Sequence, residues 1–167
     1  MRKVAVVVAL ALSMLSVPLP AAASVSDPND VDGPLDIRSV NVVPLRHGRL
    51  NLTISFWAPF HRSAIGHGFG EGVRAEFDPR ASTANQPAYV VRRSGQIVLV
   101  HGDHGSSICC WRSRVTWLSR RTLTTTFLPW WIRIGLQEDN HGMPYRARSR
   151  ICRHPCIRDH TRWGVTP

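Results

Sequence analysis

The chain has 167 residues, 43% hydrophobic and 19% charged, with a formal net charge of +10. That length and apolar fraction suit one globular domain with a real core, so cross-links need not carry stability alone. Beyond the N-terminus no stretch is long or apolar enough for a membrane-spanning helix, which excludes a helical membrane protein.

The first 23 residues read as a signal peptide. Arg2 and Lys3 give a positive start, and Val4 to Val17 is apolar apart from Ser13 and Ser16. Pro18 and Pro20 break the run, and Ala21, Ala22 and Ala23 supply the small residues a signal peptidase needs, which places cleavage before Ser24. The apolar run is about 14 residues, short of the roughly 18 needed to span a bilayer. Residues 24–167 are then expected to form one exported domain.

Residues 24–34 are turn-rich and acidic. Leu35 and Ile37 share one phase, Val40 and Val42 the other, and a bulge near Arg38 and Ser39 reconciles them. Arg46-His47-Gly48 connects this strand to Leu50–Phe56, where Leu50, Leu52, Ile54 and Phe56 alternate strictly with polar residues. A Gly-rich loop over 58–72 precedes a strand carrying Val73, Ala75 and Phe77. Tyr89–Arg92 and Gln96–His101 flank Ser94-Gly95 as a tight hairpin. Residues 110–118 alternate loosely, Leu123–Leu128 is β-prone, and Pro129-Trp130-Trp131 interrupts with a short helical turn. Tyr145, Ala147, Ser149 and Ile151 alternate with Arg146, Arg148 and Arg150; the tail from Cys152 reads as irregular. The expected fold is all-β: an antiparallel β-sandwich or jelly-roll-like single domain of about 8 to 9 strands.

Cys109, Cys110, Cys152 and Cys156 make an even count, which in an exported chain reads as two disulfides. Bridges joining the 109–110 region to the 152–156 region are slightly preferred over a local Cys152–Cys156 bridge. A zinc site is disfavoured, because adjacent residues such as Cys109 and Cys110 point to opposite faces of a strand.

Asp27, Asn29, Asp30, Asp32 and Asp36 offer oxygen ligands at close spacing, the donor type Ca²⁺ takes, but without EF-hand spacing. They are candidate calcium ligands beside the plainer reading as turn formers, and Asp159 joins them if the first and last strands lie close. Arg146, Arg148 and Arg150, with Arg112 and Arg114 on a second strand, are the candidate polyanion-binding residues; paired, the two strands would present a basic sheet face. Trp111, Trp117, Trp130 and Trp131 are candidate stacking platforms. No nucleophile elbow, metalloprotease helix or phosphate loop is present, so no catalytic residue is assigned.

The chain resembles a group of uncharacterised secreted actinobacterial proteins. The residues that carry the likeness are Asp27-Pro28-Asn29-Asp30, Gly33-Pro34-Leu35-Asp36-Ile37, Phe77-Asp78 ahead of the Tyr89 strand, and Tyr145 with the Arg-rich strand running into Cys152-Arg153-His154-Pro155-Cys156-Ile157-Arg158-Asp159. The resemblance implies an exported β-sandwich or jelly-roll domain of unassigned activity, with no catalytic residues to carry over. The near-total use of Arg over Lys, with Lys3 the single lysine, fits a GC-rich genome. The function expected is a binding or accessory module for extracellular or cell-envelope glycans or polyanions. A structural or protein-interaction domain is the alternative, and a hydrolase the third reading.

Overall fold

The computed structural model describes residues 24–67, 72–79, 86–101, 111–133, 135, 139–152 and 156–167. The first 23 residues, read from the sequence as a signal peptide, and Cys109 and Cys110 lie outside the described residues. Two antiparallel sheets face each other. One orders its strands β1 (Ser24–Ser26), β2 (Ile37–Pro44), β3 (Leu50–Phe56), β9 (Thr122–Phe127) and β8 (Thr116–Ser119). The other orders β11 (Cys156–His160), β10 (Pro144–Cys152), β4 (Gly72–Phe77), β5 (Gln86–Arg93), β6 (Gln96–His101) and β7 (Trp111–Arg114), with β12 (Gly164–Val165) pairing the start of β10. A single turn of helix, α1 (Trp130–Arg133), sits where Pro129 ends β9.

The alternation in the sequence becomes the two-sided burial of the strands. In β3 every second residue from Leu50 to Phe56 is buried, and β10 buries Tyr145, Ala147 and Ser149 between its arginines. The β2–β3 register shifts between Ile37 and Ser39, the bulge that the phase change requires. Ser94 and Gly95 both take positive φ, 48° and 75°, as a two-residue hairpin demands. Inward-facing residues of both sheets form one core, whose largest fully buried members include Phe56, Phe77, Phe127, Trp131 and Tyr145. Each such side chain contributes roughly 1.5–3 kcal/mol by leaving water. The chain changes sheets at Val115: β7 ends in the seven-stranded sheet, β8 begins in the five-stranded one, and buried Val115 fills the corner.

Among the described residues twelve strands form, more than the eight or nine expected: the run over 110–118 divides at Val115 into β7 and β8, and three further strands are short or lack alternation. β1 has three residues and β12 two, and β11 is a polar edge strand within the tail read as irregular. Pairing with β10, not hydrophobic pattern, makes β11 a strand. β12 closes the tail over β1: a Cβ added at Gly164 would collide with Val25 Cγ2 and meet Tyr145 Cζ at 3.1 Å.

The two ends of the sandwich are built differently. Near the end of β2, buried Asn140 accepts from Trp131 Nε1 (2.9 Å) and donates to the Gly48 carbonyl (2.7 Å). Thr166 Oγ1 donates to the Asn140 carbonyl and accepts from Met143 N (2.8 Å). At the other end, where β2 begins, Asp159 of β11 reaches across the sandwich edge and its Oδ2 accepts from the Ile37 amide at 2.7 Å.

Candidate cation site and basic sheet face

The segment between β1 and β2 loops over the open edge of the sandwich, and backbone bonds fix its ends. The Asp27 amide donates to the Arg38 carbonyl (2.9 Å), and the Asp27 carbonyl accepts from Trp57 Nε1 (3.1 Å). The Asp36 carbonyl accepts from the Trp57 amide at 2.9 Å. Asp36 therefore precedes β2 rather than lying within the strand, as the alternation had suggested. These anchors aim the side chains of Asp27, Asp30 and Asp36 at Asp159. One oxygen from each of the four lies within 4.8 Å of the others. Asp27, Asp36 and Asp159 are buried and Asp30 is exposed. Asp32 is exposed and outside this group, and Asn29 is exposed on the same loop.

The electrostatics are unfavourable as they stand. Asp36, 2% exposed, has neither carboxylate oxygen in a hydrogen bond, and Asp27 Oδ2 is likewise buried without a partner. Among the described residues no guanidinium forms an ion pair with any of the four; the ion pairs found there all involve Glu76. Burial, then the charges and hydrogen bonding of Asp159, then Asp30 and Asp36, push Asp27 up to about 7. Burial, then Asp159, Asp30 and Asp32, push Asp36 up to about 6 against a small opposing pull from the Val31 backbone amide. The raising causes are loss of water, like charges and, for Asp27, a hydrogen bond with Asp159, each of which makes a carboxylate resist ionisation.

The outward face of the seven-stranded sheet has the opposite sign. Cross-strand register puts Arg148 beside Arg74 and His160, Arg146 beside Glu76, and Arg150 beside Arg158. One carboxylate, Glu76, takes three guanidinium groups: Arg74 Nη2 at 2.7 Å, Arg146 Nε at 2.5 Å and Arg148 Nε at 3.3 Å. Burial, with Arg146 and Arg74 adding to it, pulls Arg148 below the ordinary arginine value, against the opposing charge of Glu76. A depression of about 410 Å³ opens here, lined by Arg74, Arg148, Arg150, Arg158, Tyr89 and His160 among others. Asp159 lies between Arg158 and His160 on β11, but its carboxylate turns to the opposite face, toward Ile37.

Arg112 and Arg114 do not pair with this row. They lie on the same face, on edge strand β7, but β4, β5 and β6 intervene, about 19 Å at the usual strand spacing. Buried Val91 and Val100 occupy the middle of the face, so the two arginine sets are separate patches. The tryptophans divide too. Trp130 and Trp131 are core residues rather than platforms, and Trp111 and Trp117 are half-buried against the core. The aromatic that does stand out is Trp163, 42% exposed, with the Arg146 guanidinium 4.4 Å from its ring centre. Its place in a tail without alternation gave the sequence reading no cue. Backbone register puts Cys152 opposite Cys156 at the β10–β11 turn.

No family model matches the chain, and searches of curated proteins and of solved structures find no match.

Proposed function

We propose that the domain is an exported binding module that holds an anionic polymer, a phosphate- or carboxylate-bearing glycan of the cell envelope or its surroundings, against the outward face of β4, β10 and β11. The observation that carries this reading is the ratio of charges at the depression. Three arginines converge on Glu76, and Arg150 and Arg158 extend the row, so positive charge exceeds negative where the surface is concave. Glu76 braces the guanidinium groups in a fixed array, leaving further N–H donors to meet ligand oxygens. Trp163 beneath Arg146 adds a flat apolar edge suited to a sugar ring. Export and disulfide formation belong to this proposal as readings of the sequence; the Cys152–Cys156 register suits a local bridge.

The test is binding of fluorescent dextran sulfate and of a glycerol-phosphate polymer, measured by anisotropy over a range of salt. The chain should bind with affinity that falls steeply as salt rises, since each phosphate or sulfate contact releases counterions. Arg74→Gln with Arg148→Gln should weaken binding about tenfold and flatten the salt dependence by about two contacts. Arg46→Gln with Arg49→Gln, on the exposed β2–β3 connection, should do far less. Equal losses from both pairs would reduce the interaction to net charge and remove the assigned face.

A further inference from the structure

We propose that Asp27, Asp30, Asp36 and Asp159 form a Ca²⁺ site that pins the β1–β2 segment to β11. Four independent features converge on it. The donors are all carboxylate oxygens, the hard ligands of Ca²⁺ and Mg²⁺, with no sulfur or imidazole to favour zinc. The convergence suits one ion. Oxygens from all four carboxylates lie within 4.8 Å of one another, close enough to share a single cation. A cage of four carboxylates is the kind that holds Ca²⁺, whereas Mg²⁺ keeps several waters and is usually bound through one or two carboxylates.

Asp36 supplies the third feature. It is 98% removed from solvent, with both oxygens unpartnered and its side chain within the carboxylate group. A buried carboxylate without hydrogen bonds is among the costliest groups a fold can carry, and it persists where a cation completes it. The fourth is the distribution of arginine. The chain has 20 arginines. On the basic face three of them serve one glutamate, while among the described residues none forms an ion pair with these four aspartates. An arginine there would fill the space an ion needs. The Ile37 amide holds Asp159 Oδ2, which orients that carboxylate as outer-shell bonds orient metal ligands elsewhere. Exposed Asp30 leaves an entry side, where water completes the 6 to 8 oxygens that Ca²⁺ takes.

The competing account of the same geometry is proton sharing: carboxyl groups bonding carboxylates with no metal. Calorimetric titration of the EDTA-treated full chain with CaCl₂ and with MgCl₂, paired with thermal unfolding, separates the two. The site predicts one Ca²⁺ per chain, binding at least tenfold tighter than Mg²⁺, and a melting temperature that rises with Ca²⁺. Asp36→Asn should remain folded, because it deletes a buried charge, yet lose at least tenfold in Ca²⁺ affinity. Asp32→Asn, on the same loop but outside the group, should keep it. No heat and no thermal shift at 1 mM CaCl₂ would leave proton sharing as the explanation. Unchanged affinity in Asp36→Asn would place any bound Ca²⁺ elsewhere, and Mg²⁺ binding as tightly as Ca²⁺ would overturn the identity of the ion. None of these outcomes depends on the polymer-binding reading.

Discussion

The two ends of the sandwich solve the same problem differently. Both must close a gap between sheets with buried polar side chains. At one end Asn140 and Thr166 form a closed neutral network in which the Asn140 carboxamide serves Trp131 and Gly48, and the Thr166 hydroxyl both donates and accepts. At the other, Asp27 and Asp36 present buried oxygens that nothing in the described chain answers. The difference teaches what kind of stability each end has. The network through Asn140 and Thr166 is complete as polypeptide, with the neutral Trp130 indole N–H beside it the one buried group left without a partner there among the described residues, whereas the aspartate end carries an unfavourable charge cost that only protons or a cation remove.

The comparison can be broken by mutating each end in turn, and the sharpest contrast comes from opposite signs. Asn140→Ala should destabilise by about 3 kcal/mol, since it orphans the Trp131 indole N–H and the Gly48 carbonyl together. Chemical unfolding in urea measures it. Asp36→Asn in EDTA at pH 8 should instead stabilise, on the order of 1–3 kcal/mol, because a carboxylate raised from 3.8 to about 6 costs free energy whenever it is ionised. A loss of stability there would show that the carboxylate is favourably placed after all, and the contrast between the ends would collapse.

A pH series sharpens the same point with a smaller effect. Asp27 and Asp36 have folded values above their unfolded ones, so the native state binds more protons between about pH 4 and 7. The metal-free protein should therefore lose stability as pH rises through that window, the reverse of the usual carboxylate behaviour. His101 opposes this. It is 1% exposed, against the rings of Trp111 and Phe127, and burial, then the charge of Arg133, lowers it to about 4. Its native state binds fewer protons than the unfolded chain between pH 4 and about 6.5. Its share of stability is thus present above 6.5 and lost as pH falls toward 4. His101→Phe should flatten the acid-side loss, and Asp27→Asn with Asp36→Asn should flatten the neutral-side loss; unfolding midpoints in EDTA from pH 4 to 8 read both. If the double variant keeps the wild-type slope, the aspartate end does not titrate as its geometry demands.

Much of the fold was legible because strand alternation is local. Leu50–Phe56 and Tyr145–Ser149 announce both their conformation and their buried face, and the phase change at Arg38 and Ser39 announces the bulge. The segments that escaped are those held by a neighbour rather than by their own pattern: β11 by β10, and β12 by β10 and Val25. The aspartate group was half visible. Asp27, Asp30 and Asp36 stand close in sequence, but nothing local separates them from Asp32, which faces water. Asp159 enters only through the pairing of the tail. The arginine face was legible on one strand. Its second strand was misplaced because register within a sheet says nothing about which strands are neighbours; Arg74, not Arg112 or Arg114, lies beside Arg148.

The Asp159–Ile37 bond spans 122 residues. The carboxylate group thus gathers residues from the loop before β2 and from β11 near the other end of the chain, and no piece shorter than residues 27–159 contains it. An unfolded or truncated chain offers an ion only scattered carboxylates of weak affinity, while the finished domain offers four at once. A cation that binds there acts on the completed molecule alone, adding about 2.7 kcal/mol when its concentration is a hundredfold above its dissociation constant. Such a site would make the ion content of the surroundings a condition of the domain's durability.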